Sequence, residues 1–106
     1  MVIYIDIDDT ICRLEKPMQY ESAYPIPEAI QKVNDLYDQG HRIVFWTARG
    51  TVTGIDHTSL TMYQLNQWGV KFHELKMGKP AYDLFIDDKN INSRDWLNEE
   101  GTCDWK

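Results

Sequence analysis

Two rhythms of apolar and polar positions alternate along the chain. Residues 2–5 (Val-Ile-Tyr-Ile) form a continuous apolar run rich in β-branched side chains, the pattern of a strand buried on both faces in a parallel sheet. Similar runs return at residues 42–46 (Arg-Ile-Val-Phe-Trp) and 84–86 (Leu-Phe-Ile), and a short strand is expected at residues 70–72. Between them the spacing turns helical. Pro27 stands at a first helical position, Ala29, Ile30, Val33, Leu36 and Tyr37 follow three and four apart, and Gly40 suits the C-terminal end. A second helix is expected from a cap at Asp56 to about Trp68. Met62, Leu65 and Trp68 would form its inner face, Leu60 and Tyr63 would flank them, and Gly69 would close it.

The remaining segments are polar. Residues 13–25, with Pro17 and Pro25, read as loop, as do residues 50–56; residues 76–80 read as a turn and residues 93–97 as a short helix. The resulting order, β-α-β-α-β-turn-β-α, predicts a single α/β domain over residues 1–106, doubly wound in the Rossmann-like manner around a mostly parallel sheet. Residues 98–106 form a polar tail in which Trp105 suggests docking.

Composition narrows the function. A chain of 106 residues suits one core, and no apolar run approaches the ~20 residues of a membrane span. The first residues meet an acid at Asp6 with no basic stretch before them, so no signal peptide is expected and the cytoplasm is the expected location. Cys12 and Cys103 have no partner spacing for zinc, and a disulfide is not expected there. A net charge of −6 argues against a sequence-independent grip on nucleic acid. It is compatible with a small phosphate if a divalent cation stands between the like charges.

Candidate chemistry gathers at strand ends. The first strand runs into Asp6-Ile7-Asp8-Asp9-Thr10, the second into Thr47, and the run at 84–86 into Asp87-Asp88; Lys79 lies in the turn before that run. Ligands of open α/β sheets bind at the carboxyl ends of the strands, so these residues are expected along one edge. Asp6 and Asp8, two apart on an extended segment, would repel each other without a cation. Oxygen donors without a matching His or Cys set favour Mg²⁺. Asp9 and Thr10 could instead cap a turn. Arg49, two residues past Thr47, could grip a phosphate or a sugar acid with its fork. A buried, inert thiol is expected at Cys12.

In order and spacing, Asp6-Ile7-Asp8-Asp9-Thr10, Thr47, Lys79 and Asp87-Asp88 resemble the four motifs of the haloacid dehalogenase superfamily. The resemblance implies a Mg²⁺-dependent phosphatase. Asp6 would attack phosphorus and form an aspartyl-phosphate, and Asp8 would protonate the leaving oxygen and then activate water. Thr47 and Lys79, with Ala48 and Arg49 beside Thr47, would hold the phosphoryl group. Asp6, Asp8 (through its carbonyl), Asp87 and Asp88 would surround the metal. An acid at position 8 favours a phosphatase over a dehalogenase, since a halide leaves without a proton.

Neither interval between motifs has room for the inserted cap domain common in that superfamily. An uncapped site takes a bulky substrate or is closed by a second copy of the chain. Trp46-Thr47-Ala48-Arg49-Gly50 and Lys79-Pro80-Ala81-Tyr82-Asp83 are similar to small capless members of capsule and surface-sugar synthesis, which implies a sugar phosphate substrate. A receiver-like phospho-acceptor domain and a catalytically silent binding protein on the same fold are the alternatives.

Overall fold

A computed structural model describes residues 1–98. Strand β1 (Val2–Ile5) is followed by a hairpin of two short antiparallel strands, β2 (Cys12–Arg13) and β3 (Tyr24–Pro25), which enclose a 3-10 turn at Tyr20–Ser22. Helix α1 (Pro27–Asp38), strand β4 (Arg42–Trp46), helix α2 (Thr58–Gln67), strand β5 (Glu74–Lys76) and helix α3 (Ser93–Asn98) complete the order. β1, β4 and β5 form a three-stranded parallel sheet with β4 at its centre. Ile3 stands opposite Ile43, Ile5 opposite Phe45, and Phe45 opposite Leu75. Among the described residues no helix is long and apolar enough to cross a membrane. Of the tail expected at residues 98–106, Asn98 ends the last described helix, and residues 99–106, with Cys103 and Trp105, lie outside the described residues.

α1 forms where the spacing places it. Pro27 opens it with its φ already helical, and Ala29, Ile30, Val33 and Leu36 are all buried. These side chains join Ile5, Ile7, Ile11, Ile43, Phe45, Leu65 and Trp96 in one core. Burying each large aliphatic among them contributes about 1.5–3 kcal/mol relative to exposure.

The sheet departs from the sequence pattern at its margins. Its third strand is Glu74–Lys76, not residues 70–72. Val70 is buried and Phe72 packs on the core, edge to face against Phe45, so those two residues anchor the lead-in rather than the ladder. Residues 84–86 form no strand, and Leu84 and Ile86 are 74% and 87% exposed. A three-residue apolar run carries a propensity, whereas a strand also needs a ladder partner, which the local pattern does not specify. The hairpin at β2 and β3 replaces the loop expected over residues 13–25. It is tied down by the Ile26 amide, which donates to the Ile11 carbonyl at 2.8 Å.

α2 also turns differently from its apolar stripe. The buried residues are Thr61, Gln64 and Leu65, with Trp68 half-buried and Met62 and Tyr63 exposed. Asp56 accepts the Thr58 amide at 2.9 Å just ahead of the helix. Two polar side chains thus occupy inward positions that an apolar pattern assigns elsewhere, and the reason lies in the site.

Candidate functional site

The site begins where β1 ends. Ile7 is fully buried, which anchors the segment and leaves the acids on either side, Asp6 and Asp8, only partly covered. The chain then turns sharply: the Thr10 and Ile11 amides both donate to the Ile7 carbonyl, and the Asp9 amide donates to the Cys12 carbonyl. Asp9 takes a left-handed conformation with φ 62°, which aspartate tolerates better than most residues. Among the described residues its carboxylate makes only an exposed 3.6 Å pair with Arg13, so Asp9 acts as a turn residue.

Asp6 faces an open cleft. Its Oδ1 accepts the Ile7 amide at 2.8 Å, and its Oδ2 lies 3.5 Å from Lys79 Nζ. Burial holds the Asp6 carboxyl above its ordinary range; Lys79 and the Ile7 amide pull it back, and the nearby Asp8 charge adds to the rise. The Lys79 ammonium also lies over the rings of Tyr82 at 5.3 Å and Trp46 at 5.9 Å, within range for cation–π attraction. Asp6, Ala48, Lys79, Pro80, Ala81 and Tyr82 line the cleft, about 260 Å³ in volume.

Thr47 joins the two halves of this edge. It is 1% exposed, its amide donates to the Lys76 carbonyl at 3.0 Å, and its carbonyl accepts the Lys79 amide at 3.0 Å. The Thr51 hydroxyl caps the same turn by donating to the Lys79 carbonyl at 2.7 Å. The turn that carries Lys79 is thereby fastened to the end of β4, which brings its ammonium to Asp6. Thr47 Oγ1 accepts the Arg49 amide at 3.2 Å, and its own proton can still be donated.

Arg49 does not reach out to solvent. It is 2% exposed, and its guanidinium forks onto Asp8, with Nη2 to Oδ1 at 2.8 Å and Nε to Oδ2 at 3.1 Å. Nη1 donates to Thr61 Oγ1 at 3.2 Å and Gln64 Oε1 at 2.5 Å, and Nη2 also approaches Cys12 Sγ at 4.0 Å. The face of the guanidinium stacks on Tyr20, 4.9 Å from the ring centre. A guanidinium has five N–H donors, and these partners occupy them. The structure therefore corrects the expectation that Arg49 grips phosphate; the side chain is committed to Asp8. Gly50 follows with φ +85°, and a Cβ there would stand 2.1 Å from the Ile55 carbonyl oxygen, so only glycine lets the next loop close beside it.

This inward cluster contains the residues that sequence reasoning missed: Tyr20, Thr61 and Gln64. Thr61 donates to the His57 carbonyl at 2.8 Å and Gln64 Nε2 to the Tyr20 carbonyl at 2.7 Å, so both are fixed before they meet Arg49. The available signal was Thr61 and Gln64, three apart, on a helix whose apolar stripe is weak. Cys12 is buried as expected. Desolvation first, then the Asp8 charge, pushes its thiol up to about 12, so it stays protonated and lies 3.4 Å from Asp8 Oδ1 as a donor.

Asp87 and Asp88 do not join this group. Both are exposed, and Asp87 Oδ1 accepts the Lys89 amide at 3.3 Å. Among the described residues no three His, Cys, Asp or Glu side chains gather to hold a metal ion. Asp6 has the hard oxygen that Mg²⁺ prefers, and one or two carboxylates suffice when a substrate phosphate and waters complete the shell. Asp6 with the Asp8 carbonyl would hold the ion, whereas Asp87 and Asp88 are not placed beside them.

No family model matches the chain, and no curated protein does. Its fold is similar to that of a solved structure, an MCSG target from Vibrio cholerae, with a TM-score of 0.83 and 22% sequence identity over 92% of this chain and 88% of that one. A likeness at that identity speaks for the fold: a small α/β protein with a parallel sheet and flanking helices.

Proposed function

We propose that the chain is a phosphomonoester hydrolase of the haloacid dehalogenase type, on a capless, doubly wound core, with Asp6 as nucleophile. One observation carries the reading: the Asp6 carboxylate lies 3.5 Å from the Lys79 ammonium at the mouth of an open cleft, with buried Thr47 fastening the Lys79 turn to the strand end. A carboxylate attacking a phosphate dianion meets like-charge repulsion, and a cation fixed beside it offsets that repulsion. Asp8, two residues on, is the proton carrier of the reading.

The chain's own residues carry each step. An Asp6 oxygen bonds to phosphorus while the bond from phosphorus to the leaving oxygen breaks, and the Asp8 carboxyl gives its proton to that oxygen. Asp8, now ionised, takes a proton from water as the water attacks the aspartyl-phosphate, which releases phosphate and frees Asp6. Lys79 and the Thr47 hydroxyl hold the transferring group. A divalent ion, when bound, supplies further charge neutralisation. The small cleft and its aromatic neighbour Tyr82 suit a small substrate, and a sugar phosphate of capsule or surface-polysaccharide synthesis is the proposed class. A second copy of the chain would close the uncapped side.

The test is phosphate release from p-nitrophenyl phosphate, with and without Mg²⁺, by the wild type and by Asp6→Asn. Release that depends on Mg²⁺ and disappears in Asp6→Asn is expected. Release that survives the substitution would remove Asp6 as nucleophile, and a wild type inactive under both conditions would remove the reading.

A further inference from the structure

If Asp8 is the proton carrier, as the reading above holds, its carboxylate must point one oxygen at the leaving group. We propose that Arg49 is the positioning residue that sets this orientation, through a buried frame that links Asp8 to α2 and to the hairpin. Oδ1 of Asp8 receives Nη2 at 2.8 Å, Nε at 3.3 Å and the Cys12 thiol at 3.4 Å. Oδ2 receives Nε alone, at 3.1 Å. A carboxylate has about four acceptor sites, so Oδ1 is occupied and Oδ2 keeps room for the transferred proton. The two oxygens are chemically equivalent in a free aspartate, and the asymmetry here comes from the fork and the thiol.

The frame behind the fork is itself fixed. Thr61 and Gln64 hold Nη1 while bonded to the His57 and Tyr20 carbonyls, and the Tyr20 ring covers the guanidinium face. Tyr20 packs in turn against His57 at 4.9 Å between ring centres. Stability alone does not explain this construction, because well-packed apolar residues often replace a buried ion pair at no cost. A lysine could supply charge but not the planar two-point contact that orients a carboxylate. Catalytic groups need such support, since a displacement of about 1 Å can cost on the order of a hundredfold in rate.

The experiment compares kcat/KM on two probes, glycerol 2-phosphate and p-nitrophenyl phosphate, with Mg²⁺ present. In a reaction through a covalent intermediate, kcat/KM reports only the steps up to departure of the leaving group. An alkoxide needs a proton at that step, while p-nitrophenolate leaves without one. General acid catalysis contributes about 10²–10⁴-fold. Arg49→Lys, which misplaces the acid without deleting it, is expected to lose about 10–100-fold on glycerol 2-phosphate and less than about 3-fold on p-nitrophenyl phosphate. Added to Asp8→Asn, Arg49→Lys is expected to cost nothing further, because the two residues act as one unit.

Equal losses on both probes, or a full additional loss in the double variant, would overturn the proposal. If Arg49→Lys fails to fold, Gln64→Met removes one acceptor from Nη1 and the bond to the Tyr20 carbonyl while leaving the fork on Asp8, and is expected to show the same discrimination between probes at smaller size; its absence would overturn the proposal equally. A wild type inactive on both probes would remove the hydrolase reading and this inference with it. An active wild type with indiscriminate losses would remove the inference alone.

Discussion

Asp6 and Asp8 are two residues apart on one strand end, yet they inhabit opposite environments. Asp8, its side chain 20% exposed, is forked onto a fully buried guanidinium whose donors all have partners. Asp6 stands at an open cleft with a single cation at 3.5 Å and a side chain 38% exposed. Fully buried Ile7 between them holds the backbone that both share, so the contrast arises from what each side chain meets. One acid is held by a planar fork, and the other keeps a partly exposed carboxylate whose partners are one amide and one ammonium at 3.5 Å. A proton carrier benefits from fixed orientation, and a nucleophile must stay accessible.

Breaking the forked side has the largest expected effect on the fold. Arg49→Met keeps the volume but removes the donors from Asp8, Thr61 and Gln64. Breaking one partner of a buried pair costs about 3–5 kcal/mol, so urea unfolding of Arg49→Met is expected to show a loss of that order. A loss under about 1 kcal/mol would show that the cluster is not the tight unit its distances describe.

The open side is expected to behave in reverse. The Asp6–Lys79 pair is longer and partly solvated, and such pairs contribute about 0–1 kcal/mol. Lys79→Met is therefore expected to leave unfolding nearly unchanged while lowering kcat/KM by about 10²–10³-fold, the range for losing one fixed electrostatic contact to a transition state. A stability loss as large as that of Arg49→Met would erase the distinction between the two acids.

The smallest effect concerns pH. Burial raises the Asp6 carboxyl above its ordinary value of 3.8 despite Lys79. The native state therefore favours protonated Asp6. That contribution is fully present below the ordinary carboxylate value and is lost as pH rises through the raised one. Asp6→Asn removes the loss, so the variant is expected to gain thermal stability relative to the wild type as pH rises from about 4 and then to level off. A difference in melting temperature that does not vary with pH would contradict the assigned environment of Asp6.

The legible parts of the molecule share a physical basis. α1 was readable because Pro27, the Ala29–Ile30–Val33–Leu36 spacing and Gly40 all act locally. β4 was readable because a run buried on both faces leaves no polar alternative; β1 was readable from its β-branched run, although the expected burial on both faces is not met, since Val2 and Tyr4 are 63% and 50% exposed. The same strand ends also placed Asp6 and Thr47 on one edge; Lys79 joins them not through the strand expected at 84–86, which does not form, but through the turn after β5 that is bonded to the Thr47 carbonyl. β5 was misplaced by four residues because its half-buried Glu74 and Lys76 look like loop, while Val70 and Phe72 look like strand.

The Arg49 cluster was not legible for a different reason. An arginine beside a phosphate-binding strand end reads as a ligand contact, and only long-range packing of Gln64 and Tyr20, 15 and 29 positions away in opposite directions, turns it inward. Asp87 and Asp88 show the converse limit. Their motif is local, but standing beside Asp6 would require the run at 84–86 to pair in the sheet, and it does not.

In the proposed reaction Asp6 becomes phosphorylated and Asp8 completes the turnover. The direct measurement is rapid acid quenching of Asp8→Asn after mixing with p-nitrophenyl phosphate and Mg²⁺, followed by peptide mass spectrometry. A phosphoryl adduct on Asp6 is expected to accumulate in Asp8→Asn, because p-nitrophenolate departs unaided while the second step lacks a base. Steady phosphate release with no adduct on Asp6, or an adduct on another residue, would contradict the proposed reaction.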